Sequence, residues 1–336
     1  MRPIRKALRK LFPLSLRGEE IFQESPALTS RPIGRRRRIA GVSLVELVVV
    51  ITITGIIAAI LGTFIVKPVQ GFQAQVRRAE LVDAAEMALR RLSRDIRQAL
   101  PNSVRVDASN RVIEMLNTLD GARYREGPGQ IASGHNHANQ QYRLKLNGAD
   151  SDGFNIVGFF QNITLPFTST TERLAIYNQG VTGADAYTDA SLLAGRYVIT
   201  NPLVTTFTIA KDGGSFDDED QILRVGADFN FRYASPNQRV FIVDTPVTYL
   251  CNATNKTITR YSNYTIAAAQ PTDPSAAPLA TASNALLSSP VTACTFTYSP
   301  GTNQRAGLVT LDITVSDTAS GEQVRLLYQV HVDNSP

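Results

Sequence analysis

The chain has 336 residues, of which 43% are hydrophobic and 19% charged, with two cysteines and no tryptophan. This composition excludes a disordered or collagen-like chain, and two cysteines with three histidines leave little for a disulfide-dense scaffold or a zinc cage. Residues 1–41 carry a net charge of +8, whereas residues 42–336 carry a net charge of −3. The basic character therefore lies in the N-terminal arm, and the main body lacks the positive charge typical of nucleic-acid binding.

The first predicted element is a membrane-spanning helix. Residues 47–66 form a run of twenty residues without a charge, and as a helix they would span about 30 Å, the thickness of bilayer hydrocarbon. A buried core helix is the alternative, but such helices seldom run this long without a polar face. The arginines at 35–38 precede the run, which favours a cytoplasmic N-terminus and an exported C-terminal body.

An unusual motif joins the basic arm to the apolar run. The arm ends at Gly41, Val42 and Ser43 follow, and Glu46 then places a carboxylate in apolar surroundings. An unpaired charge there costs several kcal/mol, so Glu46 is a candidate functional residue. An ordinary secretory signal does not fit, because the apolar stretch is too long and no A-x-A-like site follows it closely.

These residues resemble the class III signal peptide of type IV prepilins, whose pattern reads roughly G-F-T-L-x-E-L after a basic leader. Here Val42 replaces the phenylalanine and Ser43 the threonine. The resemblance implies that a prepilin peptidase cleaves after Gly41 and that the new N-terminal Val42 is methylated. Cleavage leaves a free α-amine on Val42, and the amine of a neighbouring subunit could pair with Glu46 and dock the two subunits. The alternative is that Glu46 reaches the cytoplasmic interface one turn away.

A second helical stretch follows the apolar run. Pro68 and Gly71 are expected to loosen or kink the helix between its halves, and Pro101 to stop it at or near Leu100. The sequence thus predicts a leader over 1–41 and a long helix over 42–100, transmembrane over 44–66 and amphipathic over 72–100. The apolar stripe of the amphipathic half consists of Leu81, Ala85, Ala88, Leu92, Ile96 and Ala99.

Beyond the helix, short β-type runs predict a β-rich antiparallel head over 101–336, and hence an α+β, pilin-like fold. Residues 309–315 and 324–332 alternate apolar and polar side chains around a loop, which predicts two adjacent antiparallel strands. Residues 267–290, rich in Ala, Pro, Ser and Thr, are typical of a flexible loop. The other predicted strands are 112–116, 142–146, 155–160, 173–177, 204–209, 240–243, 247–250 and 257–261.

The two cysteines, Cys251 and Cys294, border that loop, each next to a strand-like run. In an exported protein with only these two thiols, a disulfide is the favoured interpretation, and two free buried thiols are the alternative. Closing a loop of about forty residues would stabilise the head by roughly 3–4 kcal/mol on the chain-entropy account.

The sequence gives only weak signals for catalytic or metal-binding sites. No nucleophile-elbow, P-loop, dinucleotide-binding or C-x-x-C motif occurs. His135 and His137 could be metal ligands and the acidic residues 217–220 could bind calcium, but solvated loops are the favoured interpretation of both. His331 is interpreted as an ordinary strand residue. The sequence therefore predicts no catalytic residue, no metal site, no cofactor and no enzymatic activity.

Four segments narrow the resemblance to the MshO-like family of minor pilin-like proteins in mannose-sensitive haemagglutinin (MSHA) pilus biogenesis: residues 94–105, 239–251, 294–317 and 329–334. This resemblance implies a subunit that assembles or initiates a type IV pilus, with other pilins, the prepilin peptidase and inner-membrane lipid as partners. It implies a single-pass inner-membrane protein with a periplasmic head, later part of a pilus or its initiation complex. The alternatives are a type II secretion pseudopilin, a tip adhesin and a membrane-anchored periplasmic enzyme.

Overall fold

The computed structural model describes residues 41–126, 143–147, 153–190, 197–212, 219–227, 229–301 and 305–335. The predicted leader up to residue 40, the two loop histidines His135 and His137, and the acidic residues Asp217 and Asp218 lie outside the described residues. The chain divides into two compact units, Met1–Phe64 and Ile65–Pro336.

The N-terminal helix, α1, spans Leu44–Arg97 and continues through Pro68 and Gly71 without a break. The loosening predicted at these two residues therefore does not interrupt the helix. The helix ends three residues before Leu100, where the prediction placed its end. The N–H of Leu100 donates to the carbonyl of Leu116 at 2.8 Å, so the chain has already joined a sheet at this point.

The second unit is built on three antiparallel sheets. In chain order the strands are β1 (Arg105–Val106), β2 (Val112–Arg123), β3 (Gly153–Asn155), β4 (Phe167–Thr168), β5 (Arg173–Ala175), β6 (Thr205–Lys211), β7 (Asp220–Gly226), β8 (Arg239–Asn252), β9 (Thr257–Ser262), β10 (Ser283–Ser288), β11 (Val291–Ser299), β12 (Gly307–Ser316) and β13 (Gln323–Val332). The first sheet has the order β1-β2-β8-β9-β10, with β5 also paired to β8. The second has the order β11-β12-β13 and the third the order β3-β7-β6-β4. A short helix, α2 (Ala186–Ala190), and a 3-10 turn (Leu279–Thr281) complete the described elements.

The amphipathic half of α1 packs its apolar stripe into the core of the second unit. Leu81, Ala85, Leu92 and Ile96 are buried together with inward-facing side chains of β2, β8, β9 and the β11-β12-β13 sheet. A separate core lies beside the β3-β7-β6-β4 sheet, and a third involves α2. The predicted α+β fold, with a long N-terminal helix and an antiparallel β-rich head, is confirmed.

The terminal hairpin forms as predicted, whereas the strands predicted at 142–146 and 155–160 were wrong. Strands β12 and β13 pair from Gly307 opposite Val332 to Ser316 opposite Gln323. The segments predicted at 240–243 and 247–250 belong to one strand, β8. Residues 143–147 form no strand, and in 155–160 only Asn155 belongs to one.

The segment 267–290 is also not the unstructured loop that its composition predicts. It contains the 3-10 turn and β10, which pairs with β9 from Ser283 opposite Ser262 to Ser288 opposite Ile258. The side chains of β10 are mostly exposed, so this strand depends on backbone pairing and has no apolar alternation that a sequence pattern could detect.

Candidate functional site

The first turn of α1 contains the residues of the predicted processing signal. The Oγ of Ser43 accepts the backbone N–H of Glu46 at 3.1 Å, and the carbonyl of Ser43 accepts the N–H of Leu47 at 3.0 Å. Ser43 is therefore the N-cap of the helix, in a Ser-x-x-Glu sequence typical of a capping box. Glu46 lies in the first turn, where the helix dipole favours a negative charge.

Residues 41–46 of the predicted processing signal are exposed. Val42 is 68% exposed, and Glu46 is exposed without an ion pair among the described residues. A Cβ atom added at Gly41 would meet no described atom within 4 Å. The described fold therefore does not itself require a glycine at position 41.

Helix α1 is, among the described residues, the one helix long and apolar enough to cross a membrane. Every residue of its first half up to Phe64 is exposed, so no described residue covers the apolar run. The hydroxyl of Thr52 donates to the carbonyls of Val48 and Val49 at 3.0 and 2.9 Å, and Thr54 donates to Ile51 at 3.1 Å. These hydroxyls find their partners within the helix and need no water, which suits an apolar environment.

A buried carboxylate fastens the second half of α1 to the first sheet. Asp95 is 3% exposed, and its Oδ2 accepts the Tyr249 hydroxyl at 2.7 Å and the Arg260 Nε–H at 2.8 Å. Its Oδ1 lies 3.3 Å from the Nε of Arg91, one turn earlier on the same helix. The carboxylate thus joins α1 to β8 and β9 by charge-assisted hydrogen bonds.

The surroundings of Asp95 keep its two sheet partners in their ordinary protonation states. Burial acts to lower the pKa of Arg260, but the hydrogen bond and negative charge of Asp95 outweigh it and raise the pKa. Burial, followed by the charge of Asp95, raises the pKa of Tyr249. Arg260 therefore stays charged and Tyr249 neutral at any physiological pH, so that both donate to Asp95.

Sequence reasoning missed this role of Asp95. A signal was present, because Asp95 lies between Leu92 and Ile96 on the stripe that faces the core. A carboxylate at such a position requires a partner. The sequence alone does not identify that partner, since Tyr249 and Arg260 are more than 150 residues away.

Residues 36–62 match the family model of the prokaryotic N-terminal methylation motif. The chain carries the N-terminal signal of type IV pilin-like and pseudopilin-type proteins. The matched region covers the basic end of the arm, the cap at Ser43, Glu46 and most of the exposed apolar run. Searches of curated proteins and of solved structures found no match to this chain. The signal and the uncovered apolar helix together fit a membrane-anchored, pilin-like protein.

The predicted disulfide is confirmed. Cys251 at the end of β8 is bonded to Cys294 in β11, with a Cα–Cα distance of 6.4 Å and a sequence separation of 43 residues. Both cysteines are buried, at 4% and 8% exposure. The bond joins the first sheet to the second sheet and closes the segment that contains β9 and β10.

A second buried carboxylate, Glu114 on β2, contacts the same segment directly and through Arg105. Its Oε2 accepts the Nε–H of Arg105 at 2.7 Å, and its Oε1 accepts the Tyr264 hydroxyl at 2.9 Å. The guanidinium of Arg105 also donates to the carbonyls of Ala267 and Ala268 at 2.9 and 2.6 Å. Burial raises the pKa of Glu114, although the Arg105 charge opposes this shift.

The structure describes three of the weaker sequence candidates, Glu219, Asp220 and His331. Glu219 and Asp220 were predicted to lie in a solvated turn, but they are buried at the start of β7. Glu219 pairs with Arg125, and Asp220 accepts the N–H of Phe160 at 2.8 Å. His331 is an exposed residue of β13, as predicted. Among the described residues, no group of three or more His, Cys, Asp or Glu side chains could hold a metal.

Proposed function

We propose that this chain is a minor pilin or pilin-like subunit, of the MshO kind, that acts in the assembly or initiation of an MSHA-type type IV pilus. The prepilin peptidase removes the leader after Gly41, and the N-terminal helix then packs against the helices of other pilin subunits. Before assembly the protein spans the inner membrane once with its head in the periplasm. The observation that carries the proposal is the methylation motif at the start of an uncovered apolar helix.

The surface of the apolar run supports packing between helices. Gly55, Ala59 and Gly62 are exposed and follow one another at spacings of four and three residues, which places them on one face. A Cβ atom at either glycine would meet no described atom within 4 Å. Small residues at this spacing let neighbouring helices approach closely in an apolar environment, whereas a helix that serves only as an anchor does not need them.

The position of Glu46 supports docking between subunits. Its carboxylate is exposed at the first turn of the helix and has no ion pair among the described residues. After cleavage, the α-amine of Val42 on a neighbouring subunit would supply the missing opposite charge. In an apolar bundle, loss of one partner from such a pair costs roughly 3–5 kcal/mol, which is enough to select the axial position of a subunit.

The test of this docking is Glu46→Ala, with Glu80→Ala on the same helix as the matched control. We expect Glu46→Ala to leave export and the unfolding temperature of the head unchanged but to reduce the protein in sheared pili relative to membranes. Glu80→Ala should retain incorporation. Normal incorporation of Glu46→Ala at native expression would contradict the docking role.

The size of the head supports the proposal that each filament contains only a few copies of this subunit. The head predicted over 101–336 has 236 residues, whereas helices in a continuous bundle pack about 8–10 Å apart. Heads of this size would crowd one another if every position along a shaft carried one. At a filament tip or in an initiation complex one side is free, so the proposal places a few copies there.

Deletion of the gene and quantification of the protein test this placement. We expect deletion to lower the number of pili more than their integrity, and mass spectrometry of sheared pili to find few copies per filament. Immunogold labelling of the head should concentrate at filament ends. Abundant and regular labelling along the shaft would identify a major subunit and refute the proposal.

A type II secretion pseudopilin is the second candidate, because the methylation motif fits both systems. The segments 239–251 and 294–317, which resemble MSHA proteins, lie largely in β8, β11 and β12 and favour the pilus. A deletion that abolishes protein secretion and leaves pili intact would decide for the pseudopilin.

The proposal assigns no enzymatic activity, metal, cofactor or nucleic-acid partner to the head. A ligand-binding role at the tip would require a ligand that the head retains in a binding screen.

A further inference from the structure

Beyond the apolar run, the exposed face of α1 carries a mixed stripe that the head does not cover. Phe72, Val76 and Met87 are 67%, 40% and 67% exposed, and Asp83 and Arg94 are exposed. At 3.6 residues per turn, the spacings of 4, 7, 4 and 7 residues place all five within about 60° of one another. They lie opposite the buried stripe of Leu81, Ala85, Leu92 and Ile96.

The charged side chains on this stripe have few hydrogen-bond or ion-pair partners in the described part of the chain. Among the described residues, the side chains of Asp83, Arg94 and the exposed Arg97 take part in no hydrogen bond and no ion pair. Arg90 is different, because its guanidinium binds the Glu86 carboxylate at 2.6 Å. The stripe therefore offers an acidic group and, about three turns later, basic groups that have no partner of their own.

Exposed apolar residues this far along the helix are not explained by the membrane. Met87 lies 21 residues beyond the end of the apolar run at residue 66, which corresponds to about 30 Å along a helix. A solvent-facing helix surface normally carries polar side chains, and exposed apolar residues at helical spacing indicate a partner helix.

We propose that this stripe docks against the same stripe of a second copy of the chain, parallel to it and shifted by eleven residues along the helix. The proposal rests on the proposed function, because a bilayer holds the apolar runs of unassembled copies at one depth. A shift of eleven residues, roughly 16–17 Å, requires one copy to be raised relative to the other, as happens when subunits enter a filament.

The shift follows from the residues that it brings together. It places Asp83 of one copy beside Arg94 of the other, and Val76 beside Met87, so that opposite charges meet and apolar side chains meet. The same shift brings Glu86 beside Arg97. Its unfavourable neighbours are apolar side chains beside acidic ones: Phe72 falls beside Asp83 of the other copy, and the exposed Val69 falls beside Glu80.

Other shifts match less well. With no shift, Asp83 faces Asp83 and Arg94 faces Arg94, and like charges repel. A shift of seven residues places Val76 beside Asp83, and a shift of four brings Arg90 beside Arg94. Because both copies use the same face at a shift of eleven, the contact closes as a pair and does not propagate, which agrees with a few copies per filament.

Cysteine cross-linking measures this shift directly. The two native cysteines are bonded to each other, so introduced cysteines are the only free thiols of the chain. We would express two differently tagged copies of Val76→Cys/Met87→Cys, oxidise whole cells and separate the proteins on a non-reducing gel. The single variants Val76→Cys and Met87→Cys are the matched controls, because each can cross-link only between copies in register.

We expect the double variant to yield a band that contains both tags, and the single variants to yield none. Absence of that band from the double variant, or an equal band from a single variant, would overturn the proposal. The presence of the chain in sheared pili is measured in parallel. If the chain is found there but the cross-link is absent, the docking inference fails and the proposed function stands. If the chain is absent from pili and its deletion leaves their number unchanged, the proposed function fails.

Charge reversal separates self-pairing from binding to a different subunit. In the double-cysteine background, Asp83→Lys and Arg94→Glu each replace an attraction by a repulsion, and we expect each to lower the cross-linked fraction by about three- to tenfold. The combination Asp83→Lys/Arg94→Glu restores opposite charges across the contact, so it should recover the cross-link. The two positions are eleven residues apart and cannot pair within one helix, so failure of this recovery would refute pairing with a second copy.

Discussion

Replacement of Asp95 by alanine would remove the carboxylate that joins α1 to the first sheet. In the folded protein this carboxylate accepts the hydroxyl of Tyr249 at 2.7 Å and the Nε–H of Arg260 at 2.8 Å. Asp95 is almost fully buried, and the Arg260 side chain is 19% exposed. The substitution would therefore leave a guanidinium without its counter-charge in surroundings that water reaches poorly.

The expected loss of stability follows from the burial of Asp95 and the partial burial of Arg260. Removing one partner of a buried ion pair destabilises a protein by about 3–5 kcal/mol, and the partial exposure of Arg260 points to the lower end of that range. For a unit of this size, a loss of about 3 kcal/mol lowers the midpoint of thermal unfolding by roughly 6–10 °C. Asp95→Asn should lie between the wild type and Asp95→Ala, because an amide oxygen still accepts hydrogen bonds but carries no charge.

The measurement is thermal unfolding of the full chain in detergent, followed by circular dichroism. Asp312→Ala is the matched control, because Asp312 also binds an arginine, Arg325, with an Nη2–Oδ2 distance of 2.5 Å. The Arg325 side chain is 68% exposed, and an exposed pair contributes about 1 kcal/mol or less. If Asp95→Ala were no more destabilising than Asp312→Ala, the interpretation of Asp95 as the anchor of the helix would be wrong.

Three further predictions concern other parts of the chain. Intact-mass measurement of protein from membranes should find cleavage between Gly41 and Val42 and one methyl group on the new N-terminus; retention of residues 1–41 in cells with active peptidase would contradict this. Cys251→Ser/Cys294→Ser should lower the free energy of unfolding by about 4 kcal/mol, the chain-entropy value for a loop of this length, as measured by urea denaturation; an unchanged midpoint would show that the loop is restrained without the bond. Burial opposes ionisation of Asp107, but hydrogen bonds from the hydroxyl and N–H groups of its own turn outweigh it and lower its pKa. Asp107→Asn should therefore be less stable than the wild type at pH 7, and the difference should disappear as the pH falls through that lowered pKa; a pH-independent difference would contradict the role of the charge.

The N-terminal features could be predicted from the sequence because they depend on residues that are close together in the chain. A charge-free run after four arginines indicates a membrane helix, and the residues from Gly41 to Glu46 lie in the matched methylation motif, which is recognisable without knowledge of the head. The hairpin of β12 and β13 was predictable for the same reason, since alternation and a short loop are local properties. The disulfide was predictable because a chain with two cysteines offers one intramolecular pairing.

Only the tertiary structure decided which distant residues become partners. The sequence shows a carboxylate on the apolar face of α1, but the choice of Tyr249 and Arg260 as partners of Asp95 depends on the alignment of β8 and β9 beneath the helix. Strand β10 was likewise not predicted. Its side chains are mostly exposed and show no apolar alternation, and its backbone hydrogen bonds to β9 stabilise it. Composition and periodicity report on burial along one element, whereas these contacts depend on how elements pack, and many pairings of elements are compatible with the same local pattern.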